Sequence, residues 1–288
     1  MGTETSLAAL TPQALSAAHA KWVRPDLARI TVVGDVTMEQ LKPLLEQSFG
    51  AWKAPAAPRP NKPLDAAVPA PSARVVLIDR PNSPQSVILA GRVLPLTGRT
   101  PGEEPLMLAN DVVGNGFLSR LNADIREDKG WSYGVRSGVT QNSGPRVIEV
   151  MAPVQADRTG DSVRAVIQNM SAFPARSPIT TEEFQRVTEG AIRALPTQFE
   201  TNAAVLSAII RNDRLGRPED YYVRLAQTYR GIDAERIGGA ARQYLQPNDL
   251  TWIIVGDRKI VEPQLKGLGL PVEVRPAPTG GDDATDGE

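Results

Sequence analysis

The chain contains no cysteine and a single histidine, His19. Without thiols there can be no disulfide, no thiolate zinc site and no cysteine nucleophile. One imidazole falls short of the two or three that a catalytic zinc usually takes. Charge of one sign is lacking too: 32 Lys and Arg stand against 33 Asp and Glu, so no global field favours nucleic acid or an anionic membrane. Apolar runs are short. WIIVG at 252–256 is typical, far below the ~20 residues of a membrane-spanning helix. The start, MGTETSLAAL, has neither the basic region nor the apolar core of a secretory signal.

What is present is the composition of an ordinary globular protein, with 41% hydrophobic and 23% charged residues. Its 288 residues suit one large or two modest domains. Residues 54–72, APAAPRPNKPLDAAVPAPS, are mostly proline and alanine, which deprives the backbone of donors and favours extended conformations. They read as a linker. The end, carrying PAPTGGDDATDGE, is acidic and rich in Gly and Pro, and is read as a disordered tail over 273–288.

An internal repeat links the two sides of the linker. LTPQALSAAHAKWVRPDLARITVVGD (10–35) aligns without a gap on IDAERIGGAARQYLQPNDLTWIIVGD (232–257). Pro25 falls on Pro247, Val33 on Val255, Gly34 on Gly256 and Asp35 on Asp257. Each copy reads as a capped amphipathic helix, a proline turn, a β-branched strand and a Gly-Asp stop. Far more sequence precedes the second copy than the first, so 1–53 is expected to be the C-terminal remnant of a first domain and 73–272 a complete second one.

In the complete domain, RVVLID (74–79) and SVILAGRV (86–93) are expected strands around the turn RPNSPQ. Helices are expected over 102–114 and 117–129 around GNG. YGVRSGVT and RVIEVMAPVQ form an expected hairpin pair. Helices follow at about 159–173, 180–194, 201–215, 219–229 and 233–245, then a strand at 250–256 and a last helix. Strands in pairs and helices in runs imply an α+β fold with a mainly antiparallel sheet.

Most chemical motifs have bland readings. His19 has no second histidine and no glutamate at helical spacing, so it reads as a structural or surface histidine. GNGFLSR (114–120) follows a helix instead of a strand and lacks the Walker pattern, so it reads as a helix–helix turn. Ser119 and Ser132 lack a neighbouring base and nucleophile-elbow glycines. Arg120, Arg126, Lys129, Arg136 and Arg146 are interspersed with Asp124, Glu127 and Asp128, as on a solvated, salt-paired face. Arg126 and Tyr133 stand apart. A turn through Gly130 can bring them to one corner, where Arg offers fixed donors and a Tyr hydroxyl can donate to an oxyanion. The alternative for IREDKGWSYGV (125–135) is a plain helix end followed by a buried strand; on either view Trp131 reads as packing.

SRLNADIREDKGWSYGV (119–135) resembles a segment of the M16 peptidases (insulinase, pitrilysin, mitochondrial processing peptidase), in which S-R-L is followed by R-E, then K-G and a tyrosine. The paired VVGD and IVGD ends and the proline-rich linker fit the same family over about 8–270. The resemblance implies the M16/LuxS-like α+β fold, with 1–53 the end of a first M16-type domain. It implies that Arg126 and Tyr133 contact the substrate carbonyl that becomes the oxyanion, without ligating metal. The substrate would lie extended as an added strand on a sheet edge, in a chamber formed by two halves. No H-x-x-E-H occurs in this sequence. The resemblance therefore places zinc in a missing or partner half and makes this chain a substrate-binding half, inactive alone. Other implied readings are a non-catalytic structural subunit, as in respiratory-complex core proteins, and a peptide-binding module. A bacterial periplasmic setting follows by analogy only.

Overall fold

The structure, a computed structural model, describes residues 2–64, 67–68, 70 and 72–277. The chain divides into two compact units. One comprises the residues up to Pro63 with Gln198–Arg211; the other comprises Leu64–Thr197 and Asn212–Ala277.

The first unit opens with helices α1 (Glu4–Ala8), α2 (Pro12–Trp22) and α3 (Met38–Phe49). Thr11 caps α2 through Ala14 N–H with Pro12 at the first turn, and a Thr37–Gln40 capping box starts α3. None of the three helices has a buried residue. The buried group here is Arg24, which chelates Asp26 at 2.6 and 2.8 Å and donates to the carbonyls of Ala57 and Pro58 at 2.9 and 3.0 Å. That arginine ties down the start of the proline-rich segment. The guanidinium of Arg24, together with that of Arg59, holds the Asp26 carboxyl below the usual carboxylate range.

The first repeat copy departs from its expected form. Residues 29–34 form no strand, whereas the matching Thr251–Gly256 is a strand with Arg74–Asp79 on one side and Gln85–Thr97 on the other. Ile30 and Val32 are 49% and 46% exposed; their counterparts Trp252 and Ile254 are 1% and 0%. A strand exists through its ladder and its buried face, and among the described residues nothing supplies either to 29–34.

The second unit is a six-stranded sheet with helices. In chain order it has β1 (Arg74–Asp79), β2 (Gln85–Thr97), α4 (Glu104–Val113), α5 (Arg120–Asn122) running into a π-helical turn (Ala123–Asp128), β3 (Arg136–Val139) and β4 (Pro145–Gln155). Then come α6 (Thr159–Ala172), α7 (Thr181–Ala194), α8 (Asn202–Leu215, across which the division into units runs), α9 (Tyr221–Arg230) and α10 (Ala234–Tyr244). β5 (Thr251–Gly256), α11 (Arg258–Leu265) and β6 (Val272–Pro276) complete it.

The strand order is β3-β4-β2-β5-β1-β6. Three ladders are antiparallel, and β1 pairs in parallel with β5 and β6. This is the expected α+β class with a mainly antiparallel sheet. β1 and β2 are consecutive in sequence but not neighbours, because β5 lies between them. β6 falls where the sequence reading begins a disordered tail, and its pairing with β1 sets Val272 opposite Val75. Residues 278–288 of that tail lie outside the described residues.

One sheet face is buried. Leu77, Ile88, Val150, Ala152, Trp252 and Ile254 point into a core shared with Leu106, Val112, Val166, Ile237 and Val261. The other face leaves Val87, Leu89, Met151 and Ile253 exposed, and the register sets Met151, Leu89 and Ile253 side by side across β4, β2 and β5. Asp257, the Asp of the second Gly-Asp stop, caps α11 through Lys259 N–H and accepts from Asn82 N–H at 2.8 Å. Those backbone donors hold its carboxyl below the ordinary range.

Two basic residues read as solvated are not. Arg146 is fully buried and pairs with Glu103, which also binds Arg217. Arg120 forms a two-point pair with Glu183 at 2.6 Å and donates to the carbonyls of Ser177 and Pro178. In both cases the partner comes from a distant part of the chain, so local charge alternation could not identify it.

Candidate functional site

The site is built by the segment between α4 and β3. Gly114 ends α4 against the sheet: a Cβ there would meet Ser137 Oγ at 2.4 Å and Ser137 N at 2.8 Å. The close approach lets Gly114 C=O accept from Ser137 N–H at 2.8 Å, while Asn110 Nδ2 donates to Ser137 C=O at 3.3 Å. Asn122 Oδ1 accepts from Val135 N–H at 3.2 Å. The outer edge of the β3 segment at 135–137 is thereby capped by the chain itself, and no peptide strand can add to it there.

The expected helix over 117–129 starts at Arg120 and becomes π-helical from Ala123. Lys129 N–H reaches back to Asp124 C=O at 3.2 Å, Gly130 N–H to Arg126 C=O at 3.1 Å and Trp131 N–H to Ile125 C=O at 3.0 Å. Gly130 stops the helix at φ 65°, a left-handed conformation that glycine adopts without strain. Leu121 and Ile125 anchor the inner face in the core, which turns Arg126 outward. Its guanidinium lies 4.5 Å from the centre of the Phe117 ring and 3.1 Å from Glu127.

After Gly130 the chain is pinned to β4. Gln155 N–H donates to Trp131 C=O at 3.0 Å, and Ser132 bridges to Val154. Trp131 packs against the core, as expected. Ser132 Oγ donates to the Pro153 and Gly134 carbonyls, and Ser119 Oγ to Gly116 C=O at 2.7 Å, so both hydroxyls are committed to backbone. Tyr133 lies before β3, not inside it, and is 90% exposed.

Arg126 and Tyr133 line one pocket of about 360 Å³, together with Phe117, Asn122 and Arg136. Sequence reasoning paired the first two and missed the other three. Asn122 joins the two walls: its Nδ2 donates to Phe117 C=O at 2.8 Å while its Oδ1 holds Val135. The available signals were Asn122 one helical turn before Arg126 and the apolar Phe117–Leu118 pair inside a Gly-Asn turn. Beneath the loop, Asn115 donates to Asp111, whose carboxyl burial pushes up to about 6.

The described residues are not arranged as a catalytic zinc site. His19 is exposed on α2, and among the described residues no three His, Asp or Glu side chains come together as a metal-holding group. No helix among them is long and apolar enough to cross a membrane.

Residues 9–190 match the family described as the peptidase M16 inactive domain. The chain belongs to that family. YmxG, an uncharacterized zinc protease of Bacillus subtilis (strain 168), is 24% identical to this M16 chain over 246 residues, 84% of this chain and 57% of that protein. The chain spans about half the length of the curated relatives it matches. A peptidase M16 inactive domain from Pseudomonas fluorescens superposes with a TM-score of 0.77 at 21% identity, covering 89% of this chain and 60% of that one. A chain of Complex III2 from Candida albicans superposes with a TM-score of 0.71 at 14% identity, covering 91% and 64%. At these identities the structural likeness concerns the M16 fold alone.

Proposed function

We propose that this chain is the substrate-binding, non-zinc half of an M16-type zinc metalloendopeptidase that acts on peptides or unfolded polypeptides. It is inactive until joined to the zinc-bearing half. The observation that carries this reading is the single pocket holding Arg126 and the exposed Tyr133. Among the described residues no hydrogen bond engages the Tyr133 hydroxyl. It is free to donate to a substrate carbonyl as negative charge builds on the oxygen. Arg126, steadied by the Phe117 ring, offers further donors to the peptide backbone. Attack on that carbonyl belongs to the other half, where the family's zinc is expected. Because the edge at 135–137 is closed, the extended peptide adds to a sheet edge of the other half and meets this site with its exposed side.

The need for a partner half is supported by the first unit. Its strand-patterned residues 29–34 are mostly exposed, while the same pattern at 251–256 lies between two strands. The fitting occupant is the remainder of an M16-type domain, supplying one parallel and one antiparallel neighbour.

The test is an unstructured-peptide cleavage assay with this chain and a candidate zinc half combined. Tyr133→Phe is expected to lower kcat/KM by ~10²-fold, and an unchanged value would overturn the oxyanion role. The fold likeness to a chain of Complex III2 favours a second reading, a non-catalytic structural subunit. On that reading the combined halves assemble but cleave nothing.

A further inference from the structure

The pocket beside Tyr133 has a charge character that the oxyanion role does not use. Two guanidinium groups line it, Arg126 and Arg136, and no carboxylate does. Arg126 is partly answered by Glu127, a pair about half exposed and therefore weak. Arg136 is exposed, and among the described residues it makes no ion pair or hydrogen bond through its side chain. The neighbouring amides cannot serve a ligand freely: both polar atoms of Asn122 are bound to backbone, and the Asn115 nitrogen is bound to Asp111. Besides the Tyr133 hydroxyl, what the pocket leaves without a carboxylate partner of its own is the positive charge of Arg136.

Arg136 also stands at a boundary. It opens β3 in register with Met151, at the end of the exposed row Met151, Leu89 and Ile253. A peptide carbonyl held at Tyr133 would therefore have the apolar sheet face on one side and the Arg126–Arg136 pair in the pocket.

We propose that this pocket is a carboxylate subsite: Arg136, with Arg126, takes an Asp or Glu side chain, or a C-terminal carboxylate, of the peptide whose scissile carbonyl meets Tyr133. The proposal rests on the substrate-binding reading above and adds the substrate class to it. Guanidinium groups suit this ligand because their planar donors match a carboxylate in two-point geometry. The lysine counterpart of the same peptide is repelled, so the preference is sharpened by exclusion as well as attraction.

The test begins with the full chain and three probe peptides of one sequence: one with a central Glu and an amidated end, one with Gln and an amidated end, one with Gln and a free C-terminus. NMR titration following the arginine Nε–H signals is expected to show a carboxylate peptide binding about tenfold tighter than the Gln amide. Arg136→Ala should abolish the difference, and Arg136→Glu should reverse it, so that the Gln amide binds tighter than either carboxylate peptide. Arg136 opens an edge strand and is exposed, so both variants should fold, which their amide spectra check. Tighter binding of the Glu amide assigns the side chain as the ligand, and tighter binding of the free C-terminus assigns the terminus. Equal binding of all three, or a preference that survives Arg136→Ala, overturns the proposal. The oxyanion reading depends on a different measurement, the kcat/KM of Tyr133→Phe in the combined halves, so either idea can fail without the other.

Discussion

At the scale of single residues, the site is ruled by where each polar group finds a partner. Asn122 and Ser132 satisfy backbone groups and thereby fix geometry, while Tyr133 and Arg136 keep their polar ends for something else. Asp111 sits where burial disfavours its charge. Burial raises its carboxyl from 3.8 to about 6, against the opposing pull of Asn115 and Arg186. Between about pH 4 and 6 the folded chain therefore holds a proton that the unfolded chain has released. Stability falls as pH rises through that window, and the loss is complete above it. Asp111→Asn removes this titration and can still accept from Asn115. It is expected to raise the melting temperature at pH 8 and to leave it nearly unchanged at pH 4. An equal change at both pH values would show that burial of the charge is not the cause.

At the scale of elements, the π-helical turn and its stop set the direction of Arg126. The turn inserts an extra residue into the helical spacing, and such insertions occur often at functional sites. Gly130 then reverses the chain at φ 65°. A Cβ at Gly130 would meet nothing within 4 Å, so Gly130→Ala isolates the backbone cost from any clash. It is expected to destabilise the second unit by ~1–2 kcal/mol in urea unfolding. A null effect would mean the turn relaxes out of the left-handed region. Much of this level was readable in advance. The helices from α6 to α10 lie within about two residues of their expected ends because caps such as Thr180–Glu183 and Asp233 mark them. The π turn was not readable, since it is fixed by Ile125 and Trp131 both seating in the core. The Phe117 platform was hidden for a similar reason: nine residues separate it from Arg126, and only the turn at 114–119 folds it back.

At the scale of the whole molecule, the contrast between the two repeat copies is the main result. The same pattern of helix, proline turn and β-branched segment is a buried central strand in one place and an exposed strand-less segment in the other. Exposure of this kind marks a binding surface or an aggregation risk. Hydrogen exchange offers a direct measurement. Backbone amides of residues 29–34 are expected to exchange rapidly in the isolated chain and to become protected when a zinc-bearing half is added. Those of 251–256 should be slow in both cases. Protection of 29–34 in the isolated chain would contradict the proposed partner surface.

The sequence by itself determined the local pieces: the helix caps, the β-branched strands, the lack of a second histidine and the repeat, all of which act over a few residues or follow from composition. The spacing of Arg126 and Tyr133 around Gly130 allowed the two to meet, but it was the resemblance of 119–135 to M16 peptidases that singled the pair out. Tertiary structure alone decided that β5 separates β1 from β2, that Arg146 is buried against Glu103, and that Arg136 and Phe117 share the pocket. Each of these joins residues far apart in the chain. Such contacts depend on which surfaces are buried together, and a local pattern does not encode that choice.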